Sequence, residues 1–517
     1  MASQLYQSTA LNQAALVVPD LYVDIVPPAV AAINAASTDT LGLVGAASWG
    51  PVEVPTVVGS LSEYVNNFGP VIARLYDIGT HVSIAQLQGA TSFVIVRHTD
   101  GTDTAATSVV ASDDLTAASD FYAAVAIAIN SGIPNVSGKS NLVSFDVTSG
   151  TFATLYTGIY GDSLVTTISK GSKAGTFRVT NQLGSLSESF DNIAIGAGTA
   201  PTSTAFAYTG GTDGYTGITG ASLMGEDVSP PTGMYALQTT DASVGILVDC
   251  SDSDTWSEQS AFGLEFGIYM ILCSPSGDTV ANVLTSKATA GLDSYGAKLM
   301  FGDWLSWYDT NNGITRLVSP QAFAGGELVA LTPNNSSLNK SLTGIVGSQR
   351  SASGQGSYTK ADLTQLISAG IDVIANPSPG GKYWSCRSGH NSSSDSTRYG
   401  DNYVRMTNFI AESIAGSMGI YVGLPISVTL LQNITASLVD LLSTIQSLGY
   451  IGSPNNGTGA LPYSVICNLS NNPQARTGKG FATADVAVQL QGINEKFVVN
   501  LQDGATVTIA TTGSTDS

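Results

Sequence analysis

Hydrophobic and polar positions along the chain change period several times, and each change marks a predicted element. Val17–Val26 (VVPDLYVDIV) alternates in strand fashion until Pro27-Pro28 stops it. Thr40–Ala47 (TLGLVGAA) reads as a second strand, with a turn at Gly50-Pro51. In SLSEYVNNFG, Ser60 and Glu63 have capping-box spacing and Gly69 closes a short helix. Ile78–Leu87 is predicted helical, and Ser92–His98 (SFVIVRH) is a buried strand. From Asp100 to Thr212 the chain turns Gly/Ser/Thr/Asp-rich, with short strand segments at 142–147, 164–169 and 176–180 and one helical stretch at 115–129.

From about Tyr235 the period alternates between strand and helix. ILVDC (246–250), a helix over 256–265, IYMILC (268–273), AKLMF (297–301), a helix over 361–368 and IDVIA (371–375) follow in turn. That order predicts a doubly wound α/β layer with a partly parallel sheet. Beyond Ser378-Pro379-Gly380-Gly381, Tyr403–Met418 repeats its apolar residues once per turn, with Asp401 as the expected N-cap. Val428–Leu448 carries one apolar stripe from Leu431 to Leu448, and Gly449 ends it. Strands are expected at 463–468, 483–490, 496–501 and 506–510. The fold class is therefore α+β and multidomain, with mixed α/β core layers, a β-rich insertion and extended strand-like terminal arms. Its expected parts are an arm over 1–28, a discontinuous central α/β domain over 29–99 and 213–380, the insertion over 100–212, a C-terminal domain over 381–495 and a second arm over 496–517.

Composition sharpens this. Charged residues are only 11% of 517, yet the net charge is −20 and the pI is about 4.3. A soluble domain usually carries about 25% charged residues, so the polarity here comes from hydroxyls and amides. Such a surface suits burial against neighbours, where each unpaired charge costs several kcal/mol. Residues 382–517 hold seven basic and eight acidic side chains, so nearly all the negative excess lies in residues 1–381. An acidic chain is a poor nucleic-acid binder. No secretory signal is expected in Met1–Asn12, which lacks a basic residue and an apolar core, and the most apolar runs, 121–129 and 261–273, are too short for a membrane span.

Candidate chemistry is sparse. His81, His98 and His390 fall in different predicted elements, and neither G-x-S-x-G nor H-E-x-x-H occurs. Gly478-Lys479 and Gly381-Lys382 lack the upstream glycine of a phosphate loop, because Pro473 and Asn376 stand there. Asp249, Asp252 and Asp254 cluster after a strand, a pattern that loop solvation and helix capping explain better than a cation site. Cys250, Cys273, Cys386 and Cys467 show no metal or redox spacing and are expected to be buried thiols. No catalytic, cofactor or metal residue is assigned, and no enzyme activity is expected.

An ordered series of motifs resembles the contractile tail sheath proteins of myovirus-type phages and related contractile machines. VVPDLYVDIVPP (17–28) resembles the family's opening strand, with Asp20 where Gly is usual. LGLVGAASWGPVEVPTVVGSLSEYVNNFG (41–69) and SFVIVRH (92–98) resemble the next two blocks. YTGIYGDSLVTTI (156–168) and TGGTDG (209–214) are similar to the borders of its variable middle region. FGDWLSWYDTNNGITRLVSPQAFAGGELVALTPNNSS (301–337) follows, with Asp303 and Ser319 replacing family prolines. AGIDVIANPSPGGKYWSCRSGHNSSSDSTRYGDNYVRMTNFIAESI (369–414) and LSNNP (469–473) complete the series.

The resemblance implies a structural subunit that polymerises with itself as stacked hexameric rings in a helical sheath. That sheath would surround a tail tube, meet baseplate and tail terminator proteins, and contract to drive the tube through a host envelope. The expected location is a virion tail, with assembly in the host cytoplasm. Inter-subunit strand exchange would fall on Leu21, Tyr22, Val23, Asp24, Ile25 and Val26 and on Phe497, Val498, Val499, Asn500 and Leu501. Arg398, Arg405, Arg476 and Lys479 are the tube-facing candidates, and the insertion would lie outward. The alternatives are another lattice-forming virion or surface-layer protein, or a virion polysaccharide hydrolase.

Overall fold

A computed structural model describes residues 4–7, 22–25, 35–109, 124–126, 129–130, 140–194, 203–454, 460–501 and 503. Two short strands, β1 (Gln4–Gln7) and β2 (Tyr22–Ile25), pair in parallel as a separate unit, from Gln4 opposite Tyr22 to Gln7 opposite Ile25. The body begins with β3 (Thr40–Gly45), β4 (Thr56–Val58) and β5 (Ser92–Arg97). Further along come β13 (Val244–Leu247), β14 (Tyr269–Cys273), β15 (Ala297–Met300) and β19 (Ile371–Asp372), numbered in chain order; β16 (Leu305–Asp309), β17 (Ile314–Val318) and β18 (Ile345–Ser348) make a separate antiparallel sheet. One sheet of seven strands has the order β19-β15-β14-β13-β3-β5-β4 and is parallel throughout except for β4.

A parallel sheet must be covered on both faces, so its strands read as nearly continuous apolar runs. Alternate residues serve opposite cores. Leu41, Leu43, Phe93, Ile95, Ile246 and Ile271 pack under α1 (Leu61–Phe68), α2 (Ile78–Leu87) and α5 (Gln321–Ala330). Val94, Val96, Leu247, Met270, Leu272 and Leu299 face α3 (Trp256–Phe266), α4 (Val280–Thr289) and α6 (Lys360–Ser368). Helix α1 starts as expected: the Ser60 hydroxyl accepts from Glu63 N, while the Glu63 carboxylate reaches back to Gly59 N at 2.8 Å. Helix α2 is buried on nearly all sides because α5 lies across its back. Gly326 permits that approach, since a Cβ there would meet Ala85 Cα at 2.6 Å and Ala85 Cβ at 2.9 Å.

Seven strands build the segment between β5 and β13: β6 (Ala105–Val109), β7 (Val143–Asp146), β8 (Thr151–Thr157), β9 (Val165–Lys170), β10 (Thr176–Leu183), β11 (Leu186–Ala194) and β12 (Thr204–Ala207). They make two antiparallel sheets, β6-β8-β7 and β11-β10-β9-β12, over a core that includes Phe152, Phe177, Val179 and Tyr208. Of the helix expected at 115–129, 124–126 is helical, 129–130 lies in a wider turn, and the rest lies outside the described residues. The segment leaves through a two-stranded neck in which Thr104 and Thr212 exchange backbone hydrogen bonds of 3.0 and 3.1 Å. Arg97, with no exposed surface, fastens this neck: it donates to Gly50 O at 2.6 Å and Thr157 O at 2.8 Å. Burial pushes its pKa down to about 10. Beside it, Arg74 Nη1 pairs with Asp213 Oδ2 at 2.5 Å.

The C-terminal part packs α7 (Asp401–Met418) on α8 (Val428–Ser447) and a two-stranded antiparallel sheet, Tyr463–Ile466 with Asp485–Val488. The α8 helix is long and apolar enough to cross a membrane by length and composition. Its stripe, Leu431, Ile434, Leu438, Leu441, Leu442 and Ile445, is nonetheless packed into the C-terminal cores. One expectation fails at its other helix. Asp401 does not cap α7: Gly400 is the N-cap, and Asp401 is the first helical residue with its carboxylate turned inward to a buried cation. All four cysteines are free and buried.

Replacing Gly326 with Val is expected to cost about 1–3 kcal/mol, because the new side chain meets α2 backbone that cannot move aside. Urea unfolding followed by near-UV circular dichroism checks this; an unchanged midpoint would show that the α2–α5 contact is not tight.

Candidate functional site

Three features bear on the expected role: the terminal segments, the exposed cations, and the joint between the central sheet and the C-terminal part. That joint is a charge cluster cut off from water. Lys298 stands in β15 between apolar neighbours and has no exposed surface. Its ammonium lies 2.7 Å from Asp372 Oδ2 and 3.2 Å from Asp401 Oδ2, and it donates to His390 O at 3.1 Å. Asp372 also accepts from the backbone N–H groups of Val373, Arg387, Ser388 and Gly389. Asp401 accepts from the hydroxyls of Tyr269 and Ser337, each at 2.6 Å.

An unpaired charge here would be prohibitive, and this cluster meets the cost by satisfying nearly every lone pair. Although burial opposes ionisation, the two carboxylates hold the Lys298 pKa above its usual value. The same attraction, with the backbone donors, keeps Asp372 below the ordinary carboxylate range. Burial beside Asp401 pushes Tyr269 far up, so its hydroxyl stays a donor. The cluster thereby ties β14, β15 and β19 of the central sheet to the segment 387–390 and to the first turn of α7.

Next to it, Arg405 donates to Thr332 O at 3.2 Å and Leu331 O at 2.8 Å, and it is 4% exposed. Burial lowers its pKa to about 10. The expectation of a partner-facing Arg405 does not hold in this structure: the guanidinium is spent on carbonyls that end α5, joining that helix to α7. Arg398, Arg476 and Lys479 are exposed. Arg398 lies over the Tyr295 ring at 5.6 Å. Arg476 and Lys479 sit on the excursion 467–484, which Asn471 and Asn472 staple shut through Ile466 O and Thr483 O. The LSNNP motif therefore shapes the loop that carries two of the cations.

Each terminal segment is described only in part. Tyr22–Ile25 forms a strand, paired with Gln4–Gln7 of the same chain, a partner the sequence pattern had not suggested. Leu21 and Val26 lie outside the described residues. The strand expected at 496–501 does not form in this structure. Phe497, Val498, Val499 and Leu501 are 82%, 76%, 68% and 84% exposed, and Asn500 is exposed beside them. The strand expected at 506–510 lies outside the described residues.

Folding also brings together residues that the sequence kept apart. His81 Nε2 lies 3.3 Å from Ser319 Oγ and 3.6 Å from Asp249 Oδ1, two residues past the end of β13. A nucleophilic triad needs the carboxylate on the second ring nitrogen and an accessible serine. Here both contacts converge on one nitrogen, Nδ1 has no partner, and Ser319 and His81 have no exposed surface. Burial lowers the His81 pKa, so the group reads as packed structure. Asp252 and Asp254 of the acidic cluster serve a turn, in which Asp252 accepts from Asp254 N. Among the described residues no group of three or more His, Cys, Asp or Glu could hold a metal.

No family model matches the chain, and no curated protein sequence matches it significantly. Solved structures do match. A sheath tail protein from Listeria innocua aligns at a TM-score of 0.57 and 15% identity, over 85% of this chain and 90% of its own. A sheath tail protein from Desulfitobacterium hafniense aligns at 0.55 and 12%, over 87% and 93%. The helical sheath of the anti-feeding prophage in its contracted state aligns at 0.52 and 12%, over 95% and 100%. The mixed α/β, multidomain fold is that of these sheath proteins.

Two variants probe the buried charges. Lys298→Met leaves two carboxylates buried without their cation and should destabilise by about 3–5 kcal/mol, or prevent folding; chemical unfolding measures it, and a loss below 1 kcal/mol would overturn the assignment. Asp77, the N-cap of α2, behaves oppositely to Asp372. Burial raises its pKa to about 6 from 3.8, so its ionisation opposes folding, and stability from this group falls as pH rises from about 4 to 6. Asp77→Asn should flatten the stability profile across that window, as read from urea midpoints; an identical profile would refute the coupling.

Proposed function

We propose that the chain is the structural subunit of a contractile tail sheath. The carrying observation is a sheath-protein fold spanning 85–95% of the chain together with terminal segments that present strand-forming sequence without completed pairing. In this reading subunits assemble as stacked hexameric rings around a tail tube. The segments at Leu21–Val26 and Phe497–Leu501 then add strands to sheets of neighbouring copies, as edges with unpaired N–H and C=O groups invite. The recipient is the sheet Tyr463–Ile466/Asp485–Val488, which has two strands among the described residues and is too small to be stable without α7 and α8. Arg398, Arg476 and Lys479 are the cations available to an acidic tube surface, and Arg405 is withdrawn from that role.

Contraction is then a switch of the lattice between two packings, with its work stored in contacts between subunits. No nucleotide or cofactor enters, and the role is mechanical. Baseplate and terminator proteins would meet the two ends of the sheath in a virion tail or a related injection particle.

Negative-stain microscopy of the purified full chain tests this: tubes with a six-fold end view are expected, and a strictly monomeric protein at high concentration would refute it. Deleting residues 1–26 should leave folded monomers, with circular dichroism unchanged, that no longer form tubes; tubes of normal length would remove the strand-exchange role of that segment.

A further inference from the structure

Among the described residues of the C-terminal segment, Glu495 is the last with a side-chain hydrogen bond to the core. Backbone is tied down as far as Gln491: Gln489 N donates to Pro462 O at 2.7 Å, and Gln491 O accepts from Asn402 Nδ2 at 2.8 Å. Glu495 then reaches the segment 387–400. Its Oε1 lies 2.9 Å from His390 Nε2, and its Oε2 accepts from the Tyr399 hydroxyl at 3.4 Å. The two receiving rings are themselves packed together, with centroids 3.9 Å apart. Residues 493–496 and the segment 389–403 face each other across a polar cavity of about 360 Å³, so little else holds this stretch. Just beyond Glu495, Phe497, Val498, Val499 and Leu501 are exposed.

The receptor has a rigid base. His390 O is one of the groups that bind Lys298, Gly389 N donates to Asp372, and Asn391 N donates to Tyr399 O at 2.7 Å. The ring that holds Glu495 is thus mounted on the buried charge cluster. We propose that His390 and Tyr399 form a carboxylate-binding latch for Glu495, which fixes the point where the C-terminal arm leaves the core and confines its motion to the residues beyond. The proposal rests on the reading of that segment as an arm, but the latch itself is a property of the single chain.

The four native cysteines are buried, so an introduced surface cysteine takes a spin label selectively. In the full-length protein, labels at Asn494→Cys and Val499→Cys are compared by electron paramagnetic resonance. The expected result is a slow label at 494 and a fast one at 499. Glu495→Ala and His390→Ala should each shorten the correlation time at 494 several-fold and leave 499 unchanged. A label at 494 as fast as that at 499, or one that neither substitution moves, overturns the latch. Glu495 is exposed, so its variant keeps the test valid if His390→Ala misfolds. Tube formation by the same variants reports separately on the arm: released latches with normal tubes keep the latch and count against the arm.

Discussion

One buried ion cluster sets the relation between the parts of this molecule. Lys298 cannot be paired by the central sheet alone, because Asp372 answers it from β19 but leaves its remaining donors open. Asp401, from α7, and His390 O complete the shell, so the sheet reaches its low-energy state only with the C-terminal part docked. Hydrophobic contact would allow many dockings of similar energy. A buried charge with fixed acceptors allows few, since any slip strands an ion in a low-dielectric interior. The same segment carries His390, Tyr399 and the first turn of α7, so the placement of the latch and of Arg405 follows from that one constraint.

Much of this was legible. Continuous apolar runs such as SFVIVRH and IYMILC announced a sheet covered on both faces, and β5 and β14 lie where those runs lie. Period and caps located α1, α2 and α8 to within a residue or two. The missed elements share a cause. Helix α5 (QAFAGGELVA) is buried on almost every side, so it has no polar face to produce a helical period. The strands at 151–157 and 186–194 belong to two hydroxyl-rich sheets in which Ser/Thr alternate with apolar residues, a weak contrast.

The site was half legible for a different reason. A lone lysine inside AKLMF and a lone aspartate inside IDVIA are a signal in themselves, since neither belongs in a buried strand unless the two meet. Only tertiary structure, however, could tell that Asp401 turns inward from α7 and that Arg405 spends its charge on carbonyls. Sequence counts a cation as available until its neighbours are known. The near-neutral balance after residue 381 therefore conceals two kinds of charge: those consumed in joining the domains, and those such as Arg476 and Lys479 left at the surface.

The terminal segments show why a chain can fold well and still be incomplete. Burying Phe497, Val498, Val499 and Leu501 would gain about 1.5–3 kcal/mol for each side chain. Ordering their backbone costs about 1–2 kcal/mol per residue, and side-chain entropy adds to that. The two terms are close, so the segment does not settle onto its own core without a ladder of backbone hydrogen bonds and a second apolar surface. A short parallel pair such as Gln4–Gln7 with Tyr22–Ile25 faces the same arithmetic, having two faces to cover and few residues to do it. Under the proposed strand exchange, the exposed side chains of Phe497, Val498, Val499 and Leu501 are apolar surface that a neighbouring backbone would make favourable to order, and the proposed latch at Glu495 would set where that surface leaves the core.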